Sequence, residues 1–249
     1  MPRPRLDQAL VERGLVPSRE KAQRAILAGQ VRIGGRVARK ASDPVKPGDE
    51  LLLSEPERYV SRGGYKLEHG LQHFKVEVRG VTAIDLGAST GGFTDCLLQQ
   101  GAARVYAVDV GRGQLAWKLR RDPRVVVMEK TNARSLTPQH FPKPFAGADL
   151  VVADCSFISL QMILPPAIAL LRPCGRILAL VKPQFEAGKS EADKGAGVIK
   201  DPAIHARVLR ELKEFVGTGT SLLWRGETPS PLLGPAGNKE FLVLLEKET

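Results

Sequence analysis

The first fifty positions change from helical to extended spacing of apolar residues. Apolar residues recur at three- and four-residue steps over 6–10 and again over 22–26, which predicts two short amphipathic helices. Ser18 is a suitable N-cap for the second helix, and Gly29 can end it. Short apolar runs at 31–37 and 51–53 then predict a small curled sheet.

From residue 81 onward, apolar runs typical of strands alternate with helical patterns. The runs begin at residues 81, 105, 125, 150 and 177, and this alternation predicts a parallel sheet with helices on both faces. Two later runs, 221–227 and 240–245, are joined through a loop rich in Pro and Gly, which favours an antiparallel pair at the sheet edge. The predicted fold class is α/β: a Rossmann-like, mostly parallel seven-stranded sheet, preceded by a small α+β domain.

A polar segment, E-P-E-R-Y-V-S-R-G-G at 55–64, separates these two patterns. We therefore predict a first domain at 1–58, a linker at 59–64 and a second domain at 65–249. The length of 249 residues agrees with one large and one small domain.

Charge is concentrated in the first domain. The chain carries 37 Lys and Arg against 27 Asp and Glu, a formal net charge of +10. Ten of these cations, with only three acids, lie in the first 40 residues, which leaves +3 for the remainder. A basic N-terminal surface favours an anionic partner.

Three further sequence features exclude other classes of protein. The three cysteines form no C-x-x-C pair, so we expect neither a disulfide framework nor a metal site, and a reducing cytoplasm fits best. The N-terminus lacks the pattern of a secretory signal. The most apolar stretch, 157–171, is interrupted by Gln161 and two prolines, so we expect no membrane span.

A glycine-rich loop, I-D-L-G-A-S-T-G-G-F at 84–93, follows the first strand of the second domain and opens a helix. Doubly wound folds bind nucleotides at this position. The spacing is G-x-x-x-G-G and not G-x-G-x-x-G, which favours a ligand without pyrophosphate over NAD or an empty turn. Asp109 ends the next strand, where a carboxylate can accept both hydroxyls of a ribose.

Charged residues also stand beside several predicted strands. Asp154 and Lys182 follow apolar strands, Glu240 begins the last one, and Lys66 lies shortly before the second domain's first strand. Side chains at the carboxyl ends of strands face the binding crevice of such sheets. A lysine after a buried strand is costly unless it is exposed or paired.

The N-terminal domain resembles the α-L RNA-binding module of a small-subunit ribosomal protein, pseudouridine synthases and some tRNA synthetases. The match rests on L-D-x-x-L at 6–10, S-R-x-x-A at 18–22, and G-D-x-L at 48–51. The resemblance implies that basic side chains of the second helix and the following turn bind RNA phosphates, although any one of them could simply be solvated. These candidates are Arg19, Lys21, Arg24, Arg36 and Lys40.

The glycine-rich loop resembles the S-adenosylmethionine loop of FtsJ-like RNA 2′-O-methyltransferases, in its form D-x-G-x-S-x-G-G-F. This implies S-adenosylmethionine as cofactor, with Gly87 and its neighbours at the methionine end, Asp109 at the ribose and Asn132 at the adenine. The implied cofactor-binding residues are Asp85, Gly87, Ser89, Gly91, Gly92, Phe93, Asp109 and Asn132.

The charged residues beside the strands match the Lys-Asp-Lys-Glu tetrad of the same enzymes. The resemblance implies that Lys66, Asp154, Lys182 and Glu240 are catalytic. A ribose 2′-hydroxyl is a poor nucleophile and needs a base, for which we choose Lys182. Methyltransferases acting on base nitrogens are the alternative, but they carry Pro-Pro and an aromatic residue after the Asp or Asn, and both prolines are missing at 155–156.

The order of these motifs along the whole chain resembles the TlyA family, also known as hemolysin A. The resemblance implies 2′-O-methylation of cytidine in ribosomal RNA of the large subunit, or of both subunits, with ribosomal RNA or ribosomal subunits as partners. It leaves the oligomeric state open. The hemolysin name raises a membrane-active protein as an alternative, for which the sequence offers no spanning segment.

Two smaller features have two interpretations each. His69 and His73 stand four residues apart on a predicted helix, as metal ligands or as ordinary helix residues, and the second is favoured. Trp117, among Lys118, Arg120 and Arg121, either stacks on a nucleotide or packs in the protein.

Overall fold

The computed structural model describes residues 4–54, 57–188, 191 and 197–248. The chain divides into two compact units, Met1–Arg58 and Tyr59–Thr249. Residues 59–64, predicted as a linker, lie in the larger unit. Tyr59 is only 2% exposed, and its ring packs so closely on Gly64 that a Cβ there would come within 2.2 Å of the tyrosine Cγ. Residues 55 and 56 of the predicted polar segment lie outside the described residues.

The smaller unit contains the predicted helix pair and sheet. The sheet has the order β2-β1-β3, and both strand pairs are antiparallel. Ser18 Oγ accepts a hydrogen bond from the backbone N–H of Lys21, which confirms the N-cap. The elements are α1 (Leu6–Glu12), α2 (Arg19–Leu27), β1 (Val31–Ile33), β2 (Arg36–Val37) and β3 (Leu51–Leu53).

The larger unit contains a seven-stranded sheet of order β6-β5-β4-β7-β8-β10-β9. The first five strands in this order, from β6 across β5, β4 and β7 to β8, are parallel to one another. Strand β10 runs antiparallel to both β8 and β9. The predicted doubly wound sheet with an antiparallel edge pair is therefore confirmed. Its strands are β4 (Thr82–Leu86), β5 (Arg104–Val108), β6 (Val125–Met128), β7 (Ala148–Ala153), β8 (Leu171–Val181), β9 (Leu222–Pro229) and β10 (Phe241–Lys247).

Helices cover both faces of this sheet, because successive strand residues point to opposite sides. Ile84 and Leu86 pack in one apolar core with α6 and α8, whereas Ala83 packs in a second core with α3, α4 and α5. The helices are α3 (Gly63–His73), α4 (Gly92–Gln99), α5 (Trp117–Arg120), α6 (Leu160–Leu170), α7 (Pro183–Glu186) and α8 (Pro202–Gly219).

One predicted helix is much shorter than its pattern indicated. The sequence predicts a helix over 113–121, but α5 spans only Trp117–Arg120. Gly113 has a positive φ of 72°, and the backbone N–H of Ala116 donates to Thr90 O in the glycine-rich loop. The segment before α5 is therefore held against that loop and not in its own helical hydrogen bonds.

Among the described residues, none of the helices combines the length and the apolar character that a bilayer crossing needs.

Candidate functional site

The glycine-rich loop depends on backbone positions that a side chain would block. Gly87 has φ 81°, and a Cβ there would lie 2.9 Å from the backbone oxygen of Asp154. Gly91 has φ 96°, and a Cβ there would lie 2.2 Å from Leu119 Cδ1. Both positions need glycine, for conformation as well as for space.

Asp85, predicted to bind the cofactor, is fully buried and contacts the protein instead. Its Oδ2 accepts hydrogen bonds from the backbone N–H (2.9 Å) and the hydroxyl (2.6 Å) of Thr94 in the first turn of α4. Burial raises the pKa of Asp85 to about 7, and the charges of Asp154 and Asp109 act in the same direction. Its place in β4 turns the side chain toward α4, so within the described part of the chain Asp85 lines neither of the two cavities introduced below, and a cofactor contact there stays a prediction.

A cavity of about 370 Å³ opens beside the glycine-rich loop at the carboxyl ends of β4, β5 and β7. It is termed the cofactor cavity below, and its volume lies in the range of small-molecule sites. Four predicted cofactor residues line it. They are Gly87, Ser89, Asp109 and Asn132.

Asp109 is oriented by two backbone donors in this cavity. Its Oδ2 accepts from the N–H of Ser89 at 2.8 Å, and its Oδ1 accepts from the N–H of Gly111 at 2.6 Å. Each carboxylate oxygen keeps a second lone pair for a ligand hydroxyl. Asn132 is exposed at the cavity wall, where its Oδ1 accepts from the N–H of Arg134 at 3.0 Å.

A second cavity, of about 270 Å³, adjoins the first and contains all four predicted catalytic residues. It is termed the lysine cavity. Lys66 Nζ lies 2.5 Å from Glu240 Oε2, and Lys182 Nζ lies 2.6 Å from Asp154 Oδ1. Gly87, Ser89, Asp154 and Ser156 line both cavities. The two lysine–carboxylate pairs therefore stand directly beside the cofactor cavity.

Sheet topology explains why residues so distant in sequence meet. Asp154 and Lys182 follow the parallel strands β7 and β8, so both emerge at the same edge. Strand β10 runs antiparallel to β8 with Phe241 opposite Val181, which brings Glu240 to that edge as well. Lys66 comes from the second turn of α3 and is 6% exposed, close to the 7% of Lys182.

Some residues of this region were not found by sequence reasoning. Lys182 Nζ donates to Ser156 Oγ at 2.9 Å, and Ser156 lines both cavities. Gly234 approaches Glu240 so closely that a Cβ would lie 2.5 Å from Glu240 Oε1. The position of Ser156 two residues after Asp154 was its only signal, and Gly234 had none beyond its place in a loop.

The remaining predicted cofactor residues divide between two places. Gly92 and Phe93 line the lysine cavity and not the cofactor cavity. Within the described residues, Gly91 lines neither of these two cavities. It has a left-handed backbone conformation and is the N-cap of α4. Its place at the N-cap turns the chain into the helix, and its contact with the cofactor stays a prediction.

The predicted RNA-binding residues differ in how free their charges are. Lys21, Arg36 and Lys40 are exposed. Arg24 is also exposed but pairs with Glu20 at 2.5 Å, an interaction that is weak in water. Arg36 lines a groove of about 660 Å³ together with Arg39 and Lys46, and because two aspartates lie in the same wall the groove has only a small excess of positive charge.

Arg19 has a structural partner that the sequence did not reveal. Its guanidinium donates to Asp7 Oδ2 at 2.9 Å, and Asp7 is completely buried. Burial acts to raise the pKa of Asp7, but hydrogen bonds from Gln23, Arg19 and Arg5 outweigh it and hold the pKa well below its usual range. Arg19 therefore stabilises the smaller unit, but it shares the single carboxylate of Asp7 with Arg5, and its own side chain is 53% exposed.

The histidine pair does not assemble a metal site in the described residues. The rings of His69 and His73 stack at 6.0 Å, and His69 Nε2 lies 3.4 Å from Thr228 Oγ1. Across 4–54, 57–188, 191 and 197–248, no three potential metal ligands come together.

Cofactor chemistry separates the enzyme classes that share this sheet. A dinucleotide needs a pyrophosphate cradle, whereas this loop offers the oriented carboxylate of Asp109 and a close backbone approach at Gly87. These features fit a nucleoside cofactor, and the class is that of the S-adenosylmethionine-dependent methyltransferases.

Comparison with known proteins gives the family. Residues 59–247 match the model of the FtsJ-like methyltransferases, and residues 4–51 match the S4 domain. The chain therefore belongs to the FtsJ-like methyltransferase family, within the group that includes TlyA.

Similar proteins cover almost the whole chain. YqxC of Bacillus subtilis, named as a candidate rRNA methyltransferase, is 49% identical over 97% of this chain and 85% of its own length. The 16S/23S rRNA (cytidine-2′-O)-methyltransferase TlyA of Mycobacterium tuberculosis is 47% identical over 99% of this chain and 91% of its own. The solved structure of a candidate hemolysin from Streptococcus thermophilus is 43% identical, with a TM-score of 0.75, and covers 100% of this chain and 90% of that one.

Proposed function

We propose that this protein transfers a methyl group from S-adenosylmethionine to the 2′-hydroxyl of a cytidine in ribosomal RNA. The observation that carries the proposal is the pair of lysine–carboxylate contacts, with both lysines buried, directly beside the cofactor cavity. The substrate is supported by the 47% identical relative named for cytidine-2′-O-methylation and by the S4 domain. With ribosomal subunits as partners, the protein acts in the cytoplasm.

The cofactor cavity supplies the contacts that S-adenosylmethionine requires. Asp109 would accept the ribose hydroxyls, Gly87 and Ser89 would hold the methionine portion, and Asn132 would hold the adenine; all four line the cavity. When bound there, the cofactor supplies a methyl group that its positive sulfur has already activated. The protein then has to position and deprotonate the acceptor hydroxyl.

Lys182 is the proposed base. In this role Lys182 Nζ would accept the proton of the 2′-hydroxyl while that oxygen takes the methyl group that a bound cofactor would supply. The ammonium would be stabilised where it forms, because Asp154 Oδ1 lies 2.6 Å from Nζ as an ion-pair partner and Ser156 Oγ is a hydrogen-bond partner at 2.9 Å. Stabilisation of a charge that appears during the reaction lowers the barrier.

Lys66 orients the substrate in this proposal. Glu240 fixes its Nζ at 2.5 Å in a buried position, and the remaining N–H groups of the ammonium are available to the ribose oxygens. Because side chains of both pairs are anchored before the substrate enters, little ordering is left for the reaction itself.

The same arrangement argues against a base nitrogen as acceptor. Methylation of a ring nitrogen that already has a lone pair requires a hydrogen-bond acceptor to hold the base, but little deprotonation. Methylation of a ribose hydroxyl requires a proton acceptor. In the lysine cavity, Lys182 is placed for this role. Ser156, in the segment after Asp154, accepts a hydrogen bond from Lys182 and not from a base.

The deciding experiment identifies the methylated nucleoside. Purified protein is incubated with S-adenosylmethionine and ribosomal subunits from cells that lack this gene, and the digested RNA is analysed by mass spectrometry. We expect 2′-O-methylcytidine. A methyl group on a base nitrogen, or methylation of neither subunit, would reject the proposal, and separate digestion of the two subunits tells whether one or both are substrates.

Replacement of Asp109 is expected to weaken cofactor binding. Asp109→Ala removes the charge-assisted bonds to the ribose and the acceptors of Ser89 and Gly111, at a cost of about 1.5 to 3 kcal/mol. Calorimetry should show a dissociation constant for S-adenosylmethionine that is about 10- to 150-fold higher. Asp122→Ala, a carboxylate engaged with Arg124 outside the cavity, serves as control. An unchanged affinity for Asp109→Ala would move the ribose elsewhere.

Removal of the exposed basic residues of the smaller unit is expected to weaken RNA binding and its salt dependence. Three phosphate contacts account for a slope of about 2 in log K against log salt for single-stranded RNA. The triple variant Lys21→Ala, Arg36→Ala, Lys40→Ala should therefore lose about 2 from the slope measured in filter-binding titrations. The matched control is Arg210→Ala, Lys213→Ala on the exposed face of α8. Equal slopes for the two variants would contradict the basic surface.

A further inference from the structure

Trp117 is exposed although it belongs to a segment that is otherwise packed. Its side chain is 71% accessible, whereas Leu115 and Leu119 on either side are 6% and 3% exposed and pack in the core. Packing in the protein, one of the two interpretations of this tryptophan, is therefore excluded. At this accessibility at least one face of the indole ring is open to solvent.

Backbone contacts bring Trp117 to the rim of the lysine cavity. The residue before it, Ala116, donates its N–H to Thr90 O at 3.1 Å, and Thr90 lines that cavity. Trp117 is therefore linked to the cavity wall by one peptide bond, to Ala116, and one hydrogen bond, from Ala116 to Thr90.

A carboxylate ties the residue after Trp117 to the same rim. Asp95 Oδ2 accepts from Lys118 Nζ and from the backbone N–H of Val60, both at 2.8 Å. The next residues along the chain, Ser61 and Arg62, line the lysine cavity. Contacts on both sides of Trp117 thus lead to the place where the substrate ribose is proposed to bind.

Positive charge is in excess near the ring. Lys118 forms an ion pair with Asp95, so the excess comes from Arg62 and Arg121, which are both exposed. The backbone N–H of Arg121 donates to Trp117 O at 3.3 Å. An open aromatic ring among cations is the combination with which proteins bind unpaired nucleotides, through stacking on the ring and attraction of the phosphates.

We propose that Trp117 stacks on an unpaired nucleobase of the RNA substrate, close to the nucleotide whose ribose is methylated. This inference rests on the proposed function, because it assigns to the same reaction a second, aromatic contact with RNA. Trp117 is a substrate-binding residue here and takes no part in proton transfer.

The chain contains two tryptophans, so fluorescence can test the contact directly. The variant Trp224→Phe leaves Trp117 as the only tryptophan, and Trp117→Phe leaves Trp224. The probe is protein-free large-subunit ribosomal RNA from cells that lack this gene. Stacking should quench the emission of Trp117, while the emission of Trp224 changes only by the absorbance of the RNA. Equal changes in the two variants would overturn the proposal.

Kinetics provide the second measurement. Loss of one stacked base is expected to raise the KM for RNA by about 5- to 150-fold in Trp117→Ala. The kcat and the affinity for S-adenosylmethionine should stay unchanged, and Trp117→Phe should recover most of the loss. An unchanged KM overturns the proposal, and so does a loss of cofactor affinity in both variants, because it would indicate a structural role.

The same assays distinguish other partners and the failure of the proposed function. A defect of Trp117→Ala confined to assembled subunits, with protein-free RNA bound normally, would assign the tryptophan to a ribosomal protein and overturn the proposal. Wild-type protein that forms no 2′-O-methyl nucleoside would reject the proposed function. Wild-type methylation with an unaffected Trp117→Ala variant would reject the stacking alone.

Discussion

Lys182→Ala is expected to lower the rate of methyl transfer by at least about 100-fold while both ligands still bind, because general bases contribute that much or more. Lys182 is 7% exposed at the end of β8, and its Nζ is held by Asp154 and Ser156. Truncation to alanine removes the proposed proton acceptor, whose ammonium form Asp154 and Ser156 would stabilise. Single-turnover rates on ribosomal subunits, with cofactor and RNA affinities measured separately, test this expectation.

Lys182→Arg separates proton transfer from electrostatics. The guanidinium keeps the positive charge but does not lose its proton in proteins, so this variant should be no faster than the alanine variant. Lys213→Ala, an exposed lysine of α8, should behave as wild type. Near-normal turnover of Lys182→Arg would reduce Lys182 to an electrostatic role, and the base would then have to be Lys66 or Asp154.

Sequence reasoning predicts where the candidate catalytic residues lie, because strand periodicity fixes where they emerge. The apolar runs before Asp154 and Lys182 had to be buried strands, and the first polar residue after a parallel strand lies at the carboxyl edge of the sheet. Glu240 could be placed by the same logic only as the start of a strand. Its contact with Lys66 depends on the antiparallel pairing of β10 with β8, which composition alone does not determine.

The placements that the sequence does not reveal have equally specific causes. Asp85 lies in the loop motif, but strand alternation puts it on the same face as Ala83, toward α4. Arg19 contacts Asp7, which is twelve residues away on another helix, and such a pairing leaves no local signal in the sequence. Helix α5 was predicted too long because hydrogen bonds to the glycine-rich loop replace helical ones, and such non-local competition leaves no periodic signal.

Lys66→Met is expected to destabilise the larger unit by about 3 to 5 kcal/mol, the cost of leaving one partner of a buried ion pair alone. Glu240 is 2% exposed and has its Oε2 against Lys66 Nζ, so the variant leaves a buried carboxylate without its cation. Both tryptophans, Trp117 and Trp224, lie in the larger unit, and their fluorescence during urea unfolding reports on this unit.

The double variant Lys66→Met, Glu240→Leu shows whether the pair serves stability or function. Replacement of a buried ion pair by apolar residues of similar size is often neutral or stabilising, so the double variant should regain most of the free energy of unfolding lost by Lys66→Met. Its rate of methyl transfer should remain well below that of the wild type, since the cation that orients the ribose is gone. Recovery of stability without recovery of activity would mean that the Lys66–Glu240 pair serves the reaction, although removing its two charges from water lowers the free energy of unfolding. Recovery of both would show instead that the lysine cavity needs only Lys182 and Asp154, and the part assigned to Lys66 would have to be withdrawn.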